Sequence, residues 1–499
     1  MAAHVYGIRE IQAEAFTQLR TCWTSRPRDL KSCADRSFCE GLTRVCYHGF
    51  DGAVAELPRR GIFVHLAGMH YNPQLTWFEQ STPLNLYLAR CSWMCSQGVP
   101  TADCLLYAGD GQGVMYGMRR PSDGLGFGYD YDVAPTELLL AARVEDGEIV
   151  LPSGARYRTL FVSDRNPASR AEMSAVGNRL VRTYAPKVPY LPPEAEKKMA
   201  ELERAGAKIL RTRGELERFV ESGVLKADFA VQGADESDIG WVHRRVGDED
   251  VYFVANYRDA AVSPTVELRA TGRQTSVWDA VDGTCSCITA EKTADGRTRV
   301  KLQLPAFGSI FIVIGRTGFS SSVDRRLRLP DFRSLASVPG PWTVAFDPEL
   351  GGPKEPIVVT NLFDWTTSAR EGVRYYSGTA MYRTTFVLDS EAEDVVLDLG
   401  EVADVAEVLL NGRCVGIAWT MPMRVALGGA LRKGENELEV RVTNRWFNRF
   451  VIDETRPLDK RIALPARPLW NVSKLTVTDP GDRPFRSGLL GPVTLLKKE

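Results

Sequence analysis

No stretch of the 499 residues approaches the ~18 consecutive apolar residues of a membrane-spanning helix. The opening MAAHVYGIRE lacks the basic-then-apolar layout of a signal peptide. The expected location is therefore the cytoplasm, or outside it if the chain is a fragment. Neither sign of charge dominates: 62 Lys and Arg face 63 Asp and Glu, a net −1. That removes the electrostatic reason to expect a nucleic acid or an anionic membrane as partner. P-loop, GxGxxG, GxSxG and HExxH patterns are all missing. The glycine-rich GDGQGVMYG has no lysine and no following helix, and reads as a loop. Ten cysteines form no CxxC, and no second pair completes a zinc site with Cys91 and Cys95. They read as free thiols in a reducing compartment.

What is present is ordinary soluble composition, 44% apolar and 25% charged. At ~150 residues per domain, the length allows three or four domains. The pattern is multi-domain α/β followed by β. Residues 1–130 alternate strand-like and helical stretches. Strands are expected to end near Glu14 and near His48, with a third at GIFVHLAG. Ser81, Thr82 and Pro83 start a helix that Gly98 stops. TADCLLYAG is the next strand. Residues 131–235 read as a small α/β domain with an Asp-Gly hairpin in VEDGEIVL. Residues 236–315 are all-β: RVKLQL alternates strictly and SIFIVIG is a fully buried run. Residues 316–340 show no periodicity and read as a linker. Residues 341–499 carry about eight short strands, with a hairpin at Asn411-Gly412, and suggest a two-sheet jelly roll.

Four of five histidines, His4, His48, His65 and His70, fall in the first 70 residues. His48 stands out because it ends a strand before Gly49. Carboxylates are more telling. Glu14 ends a strand between Ala13 and Ala15, the edge where α/β barrels collect catalytic groups. Glu79 follows Trp77 and Phe78, and an indole beside an acid suits a pyranose, whose C–H face stacks on the ring. Glu79 also reads as a first-turn acid opposing a helix dipole. Asp35 and Arg90 read as ion-pair formers on helices. Asp130 and Asp132 in GYDYD have a calcium-like spacing without a full ligand loop.

Several segments, in order, resemble the α-L-rhamnosidases of glycoside hydrolase family 106. They include QAEAFT, LKSCADRSFCEGLTRVCYHGF, NPQLTWFEQ and YLARCSWMCSQGVPTADCLLYAG, with DGEIVLPSGARYRTLFV after them. WVHRRVGDEDVYFVANY and LFDWTTSAREGVRYYSGTAMYRTTF fit the family's later part, and LLNGRCVGIAWTMPMRVAL its galactose-binding-type jelly roll. The resemblance implies a TIM-type (α/β)8 barrel, inverting hydrolysis of terminal α-L-rhamnosides, two glutamates and a calcium ion. Carried over residue by residue, it makes Glu14 and Glu79 the catalytic carboxylates, without saying which is acid and which base. Glu14 is also the candidate calcium ligand, and His48, Asn72 and Trp77 are the sugar contacts. A barrel takes ~250 residues. Residues 1–130 would hold only its C-terminal part, so the expected partners are carbohydrate and either a missing N-terminal barrel half or a second copy. A catalytically inactive sugar-binding protein on the same scaffold is the alternative.

Overall fold

The computed structural model describes residues 2–17, 23–50, 68–69, 71–110, 124–162, 191–315, 332–389, 393–463, 478 and 481–498. GIFVHLAG, most of GDGQGVMYG, His65 and His70 lie wholly or largely outside them.

The strand Gln12–Ala15 pairs in parallel with Arg44–Tyr47, placing Glu14 opposite Cys46. The helix Pro27–Cys39 connects them. Pro27 opens it, and Asp29 accepts both the Arg26 backbone N–H (3.0 Å) and its guanidinium, so the first turn is closed by one side chain. Leu30, Ala34 and Phe38 bury one face at helical spacing. The second helix, Thr82–Ser96, is where the sequence puts it. Gly98 follows with φ +60°, and a Cβ there would stand 1.9 Å from the Arg245 carbonyl oxygen. These two parallel strands and two helices are what the described residues show of the expected barrel.

The strand Cys104–Tyr107 does not join that pair. It lies between Tyr131–Ala134 and Thr159–Val162 in a parallel four-stranded sheet completed by Ile209–Leu210. The second unit therefore begins before residue 104, not at 131. Every side chain of Cys104–Tyr107 and Thr159–Val162 is buried, as expected for central parallel strands. The helix Pro193–Arg204 turns Met199 and Leu202 inward.

The third unit has two antiparallel sheets with Phe229, Tyr252, Val266, Val300 and Ile312 among the side chains between them. It starts with Phe229–Gln232, earlier than 236. In the last unit a six-stranded sheet centres on Thr379–Leu388 and Gly434–Thr443, accompanied by a four-stranded sheet. Phe332–Ser337, inside the expected linker, is a strand of that second sheet, paired with Thr494–Lys498. A bulge between Ser334 and Ala336 breaks its two-residue period, which hid it from pattern reading. Asn411 and Gly412 turn their hairpin with φ 52° and 77°.

The units are welded together. One core runs from Phe38 and Trp77 through Phe253 to Trp342 and Trp419. Lys31 and Asp35, both about 1% exposed, pair at 2.7 Å within the first helix. Lys31 also donates to the Phe307 carbonyl (2.7 Å) and the Ser309 hydroxyl (2.9 Å), and Tyr87 donates to Asp35. Two helices and a strand of the third unit meet at this cluster. Arg90 donates to the carbonyls of Ala280 (3.0 Å) and Val281 (3.1 Å), tying the same units. No helix among the described residues is long and apolar enough to cross a membrane.

Candidate active site

Parallel strands in register end at one level. Ala15 faces Tyr47, and the His48 N–H donates to the Ala15 carbonyl at 3.0 Å. This brings the Glu14 carboxylate within 3.5 Å of His48 Nδ1. The Thr17 hydroxyl donates to Glu14 at 2.5 Å. Glu14 is open, with 64% of its side chain exposed. Phe16, two residues on, holds a left-handed backbone at φ +64°, a conformation that costs a bulky side chain ~1–3 kcal/mol.

An aromatic wall runs from this point. Phe16 meets Tyr47 (5.3 Å between ring centres), Tyr47 stacks on Tyr71 (4.6 Å), and Tyr71 meets Phe78 (5.0 Å). Exposed Phe50 reaches Phe78 at 6.5 Å. The phenols are fixed in turn. Tyr47 donates to Asn85 (2.7 Å), the Asn85 amide donates to Tyr71 (2.6 Å), and the Tyr71 and Ser81 hydroxyls hydrogen-bond each other (2.7 Å). Burial pushes the Tyr47 phenol well up, which keeps it a neutral donor. The wall links Glu14 to the turn that carries Glu79, itself exposed. Phe16, Thr17, Phe50, Tyr47, Tyr71 and Asn85 were not singled out by sequence. Only the place of Tyr47 beside His48 hinted at one of them.

Two expected sugar contacts are closed. Trp77 has no exposed surface and lies in the main core, where a sugar cannot reach it. Asn72 is 1% exposed, and its side-chain oxygen accepts the Gln74 N–H at 2.9 Å, shaping the turn. Phe50 is the exposed ring of this region, and Phe16, Tyr47 and Phe78 are half-buried. The turn is held from outside by the last unit. The Trp446 indole donates to the Gln74 carbonyl (2.6 Å) and the Gln80 amide to the Arg441 carbonyl (3.3 Å). Arg445 reaches the Thr24 carbonyl (2.6 Å) while paired with buried Asp404 (2.8 Å).

A calcium ion takes six to eight oxygen ligands. Around Glu14 the described neighbours are the Thr17 hydroxyl, one oxygen of that kind, and an imidazole nitrogen, which is not. Among the described residues no three His, Cys, Asp or Glu side chains stand together as a metal would need. In GYDYD, Asp130 accepts the Tyr131 N–H, and Asp132 contacts His4 (3.1 Å) and Tyr157 (3.1 Å), so this spacing serves the fold. His4 sits in the short helix Ala2–Val5, not in a strand.

His243 is structural and strongly charged. Its Nδ1 lies 2.7 Å from Asp228 and its Nε2 3.0 Å from Asp250, and it stacks on Tyr252. Burial opposes its charge, but Asp228 and Asp250 outweigh burial and push it up to about 9. His243 in turn holds Asp228 down to about 2 despite burial. The His243 contribution to stability is fully present below the unfolded value of ~6.5 and is lost as pH rises through 9. That of Asp228 is present above ~3.9 and lost as pH falls toward 2. Unfolding free energies from urea titration should be highest between about pH 4 and 6.5 and fall by on the order of 3 kcal/mol toward pH 9.5. His243→Phe should flatten the alkaline side; an equally steep fall in that variant would show that another group carries it.

A family model described as alpha-L-rhamnosidase matches residues 1–292, and a galactose-binding domain-like model of glycosyl hydrolase family 2 matches residues 365–469. A rhamnosidase from Novosphingobium sp. PP1Y superposes with a TM-score of 0.82 at 28% identity, over 100% of this chain and 48% of that one. A putative beta-glucuronidase of Formosa agariphila is 22% identical over 99% of this chain and 63% of its own length. The chain thus spans about half the length of the solved relative and under two thirds of the curated one.

Proposed function

The chain belongs to glycoside hydrolase family 106, the alpha-L-rhamnosidases, and from that premise we propose that it cleaves terminal α-L-rhamnosides with inversion. The observation that supports this reading most is the pairing of Glu14 with His48 at the carboxyl ends of two parallel strands. That end is where α/β catalytic groups gather. The aromatic wall leads from there to Glu79, the second carboxylate of the reading. Inversion needs one carboxyl to protonate the leaving oxygen and another to activate water on the opposite face, ~6.5–9.5 Å apart. Glu14 and Glu79 take these two roles, in an order left open, and Phe50 and Phe78 flank the sugar. His48 and Thr17 hold Glu14 in place.

Proton NMR of an aryl α-L-rhamnoside digest, run with and without added calcium, tests this directly. The β anomer should appear first. Initial release of the α anomer would overturn inversion, and no release under either condition would overturn hydrolysis by this chain.

The exposure of Glu14 and Glu79 favours a second reading, a sugar-binding protein without turnover. Carboxylates in open water lack the low-dielectric surroundings that strengthen a catalytic charge. That reading predicts thermal stabilisation by rhamnose with no product.

A further inference from the structure

A cavity of about 500 Å³ lies among the first three units. Its walls come from residues 7–9 ahead of the first strand, the turn at Gly98, the second unit's hairpin and the third unit. Neither Glu14, His48 nor Glu79 lines it.

Charge is sorted by depth here. Five guanidiniums and four carboxylates line the walls, and protonated His243 adds a further positive charge. Asp103, Asp228 and Asp250 are buried at 1–2% exposure. Of the cations near solvent, Arg156 is paired with Glu148 (2.7 Å) and Glu145 (2.9 Å), and three others are loosely committed. Arg9 is exposed and has no carboxylate partner among the described residues. Arg158, 49% exposed, stands 3.6 Å from Asp103, and Arg245, 52% exposed, stands 3.4 Å from Asp250. A charge-assisted hydrogen bond is shorter, ~2.7–2.9 Å. Each guanidinium offers five N–H donors, and most of these are unspent at the mouth.

The interior adds an independent observation. His4 is 4% exposed and its Nδ1 is engaged by Asp132, yet its buried Nε2 has no hydrogen-bond partner. A buried polar atom left unpaired is costly to the fold. The Asp103 oxygens also lack a well-directed hydrogen bond, although Arg269 lies 2.8 Å away. Both side chains line the cavity with these atoms covered, so a small rotation of either would bring them to the hydroxyls of a bound group, whose anion would meet the cations at the mouth.

We propose that this cavity is a second ligand site that takes a small hydroxylated anion, a sugar carboxylate or sugar phosphate. Arg9, Arg158 and Arg245 hold the anionic group, and Asp103 and His4 hold hydroxyls. The site is independent of the hydrolytic reading, because it shares no residue with the Glu14 region.

Calorimetric titration of the full chain at fixed ionic strength tests it, with D-glucuronate, D-glucose 6-phosphate, D-glucose and inorganic phosphate as probes. One of the two sugar anions should bind at least tenfold more tightly than glucose and than inorganic phosphate. The tighter of the two identifies the anionic group. The Arg9→Gln/Arg158→Gln variant changes only half-exposed or exposed side chains and should lose at least tenfold in affinity. Arg413→Gln, on a remote hairpin, should bind as the parent does. Sugar anions no tighter than glucose, or a double variant that binds unchanged, would overturn the site. Inorganic phosphate as tight as the sugar anions would overturn the hydroxyl contacts.

Discussion

Glu14→Gln is expected to lower kcat on an aryl α-L-rhamnoside by about 10²–10⁴-fold, the range for a positioned general acid or base. The side chain keeps its shape and its contact with the Thr17 hydroxyl, so the strand end should not collapse. What disappears is the charge beside His48 and the capacity to hold or move a proton. Because the lost interaction belongs to the transition state, KM should change far less than kcat. Glu79→Gln should produce a loss of similar size. The double variant should lose much less than the product of the two, since groups acting in one step are not additive. Rates within a few-fold of the parent for Glu14→Gln would remove Glu14 from the chemistry. Trp77→Phe provides the contrast. Its ring is fully buried, so its effect should appear in stability and not selectively in kcat.

Lys31→Met is expected to cost about 3–5 kcal/mol of unfolding free energy, the usual penalty for leaving one member of a buried ion pair unmatched. Burial already pushes the Asp35 carboxyl up, with Lys31 and the Tyr87 hydroxyl opposing that push. Removing the ammonium leaves Asp35 to be buried uncompensated or protonated. It also strands the Phe307 carbonyl, whereas the Ser309 hydroxyl keeps its bond to the Tyr87 hydroxyl at 2.7 Å. The Lys31→Met/Asp35→Leu pair should recover much of the loss, because an apolar pair of similar volume avoids the desolvation penalty. Urea unfolding of the parent, the single variant and the double variant measures this. A single-variant loss below about 1 kcal/mol would show that the cluster is hydrated and weak.

Local chemistry was the legible part of the fold. The helix Thr82–Ser96 announces itself through Pro83 and Gly98, and the turn at Asn411-Gly412 through a backbone few other residues adopt. Glu14 and His48 could be picked out because each closes a short strand. Their meeting could be expected only once both strands were placed in one parallel sheet. Pairing across distance was not legible. Nothing in TADCLLYAG says whether its strand extends the first sheet or founds another, since buried parallel strands read alike. The bulge at Ser334 to Ala336 erased the alternation that would have shown a strand in the expected linker. Trp77 was misplaced because an aromatic next to an acid looks the same whether the ring faces a sugar or the core. The Tyr47–Tyr71 stack joins residues whose proximity only the folded chain creates.

The grip of Trp446 and Arg441 on the turn around Gln74 and Gln80, with Arg445 holding the Thr24 carbonyl, bears on how this protein can be divided. The last unit resembles a detachable carbohydrate-binding module, the kind that is commonly trimmed away or exchanged between enzymes. Here it acts as a brace whose far end sets the height of the Glu79 turn. A shortened version ending before it would keep every proposed catalytic side chain and lose the scaffold that spaces them. The two pieces would have to be exchanged together or not at all.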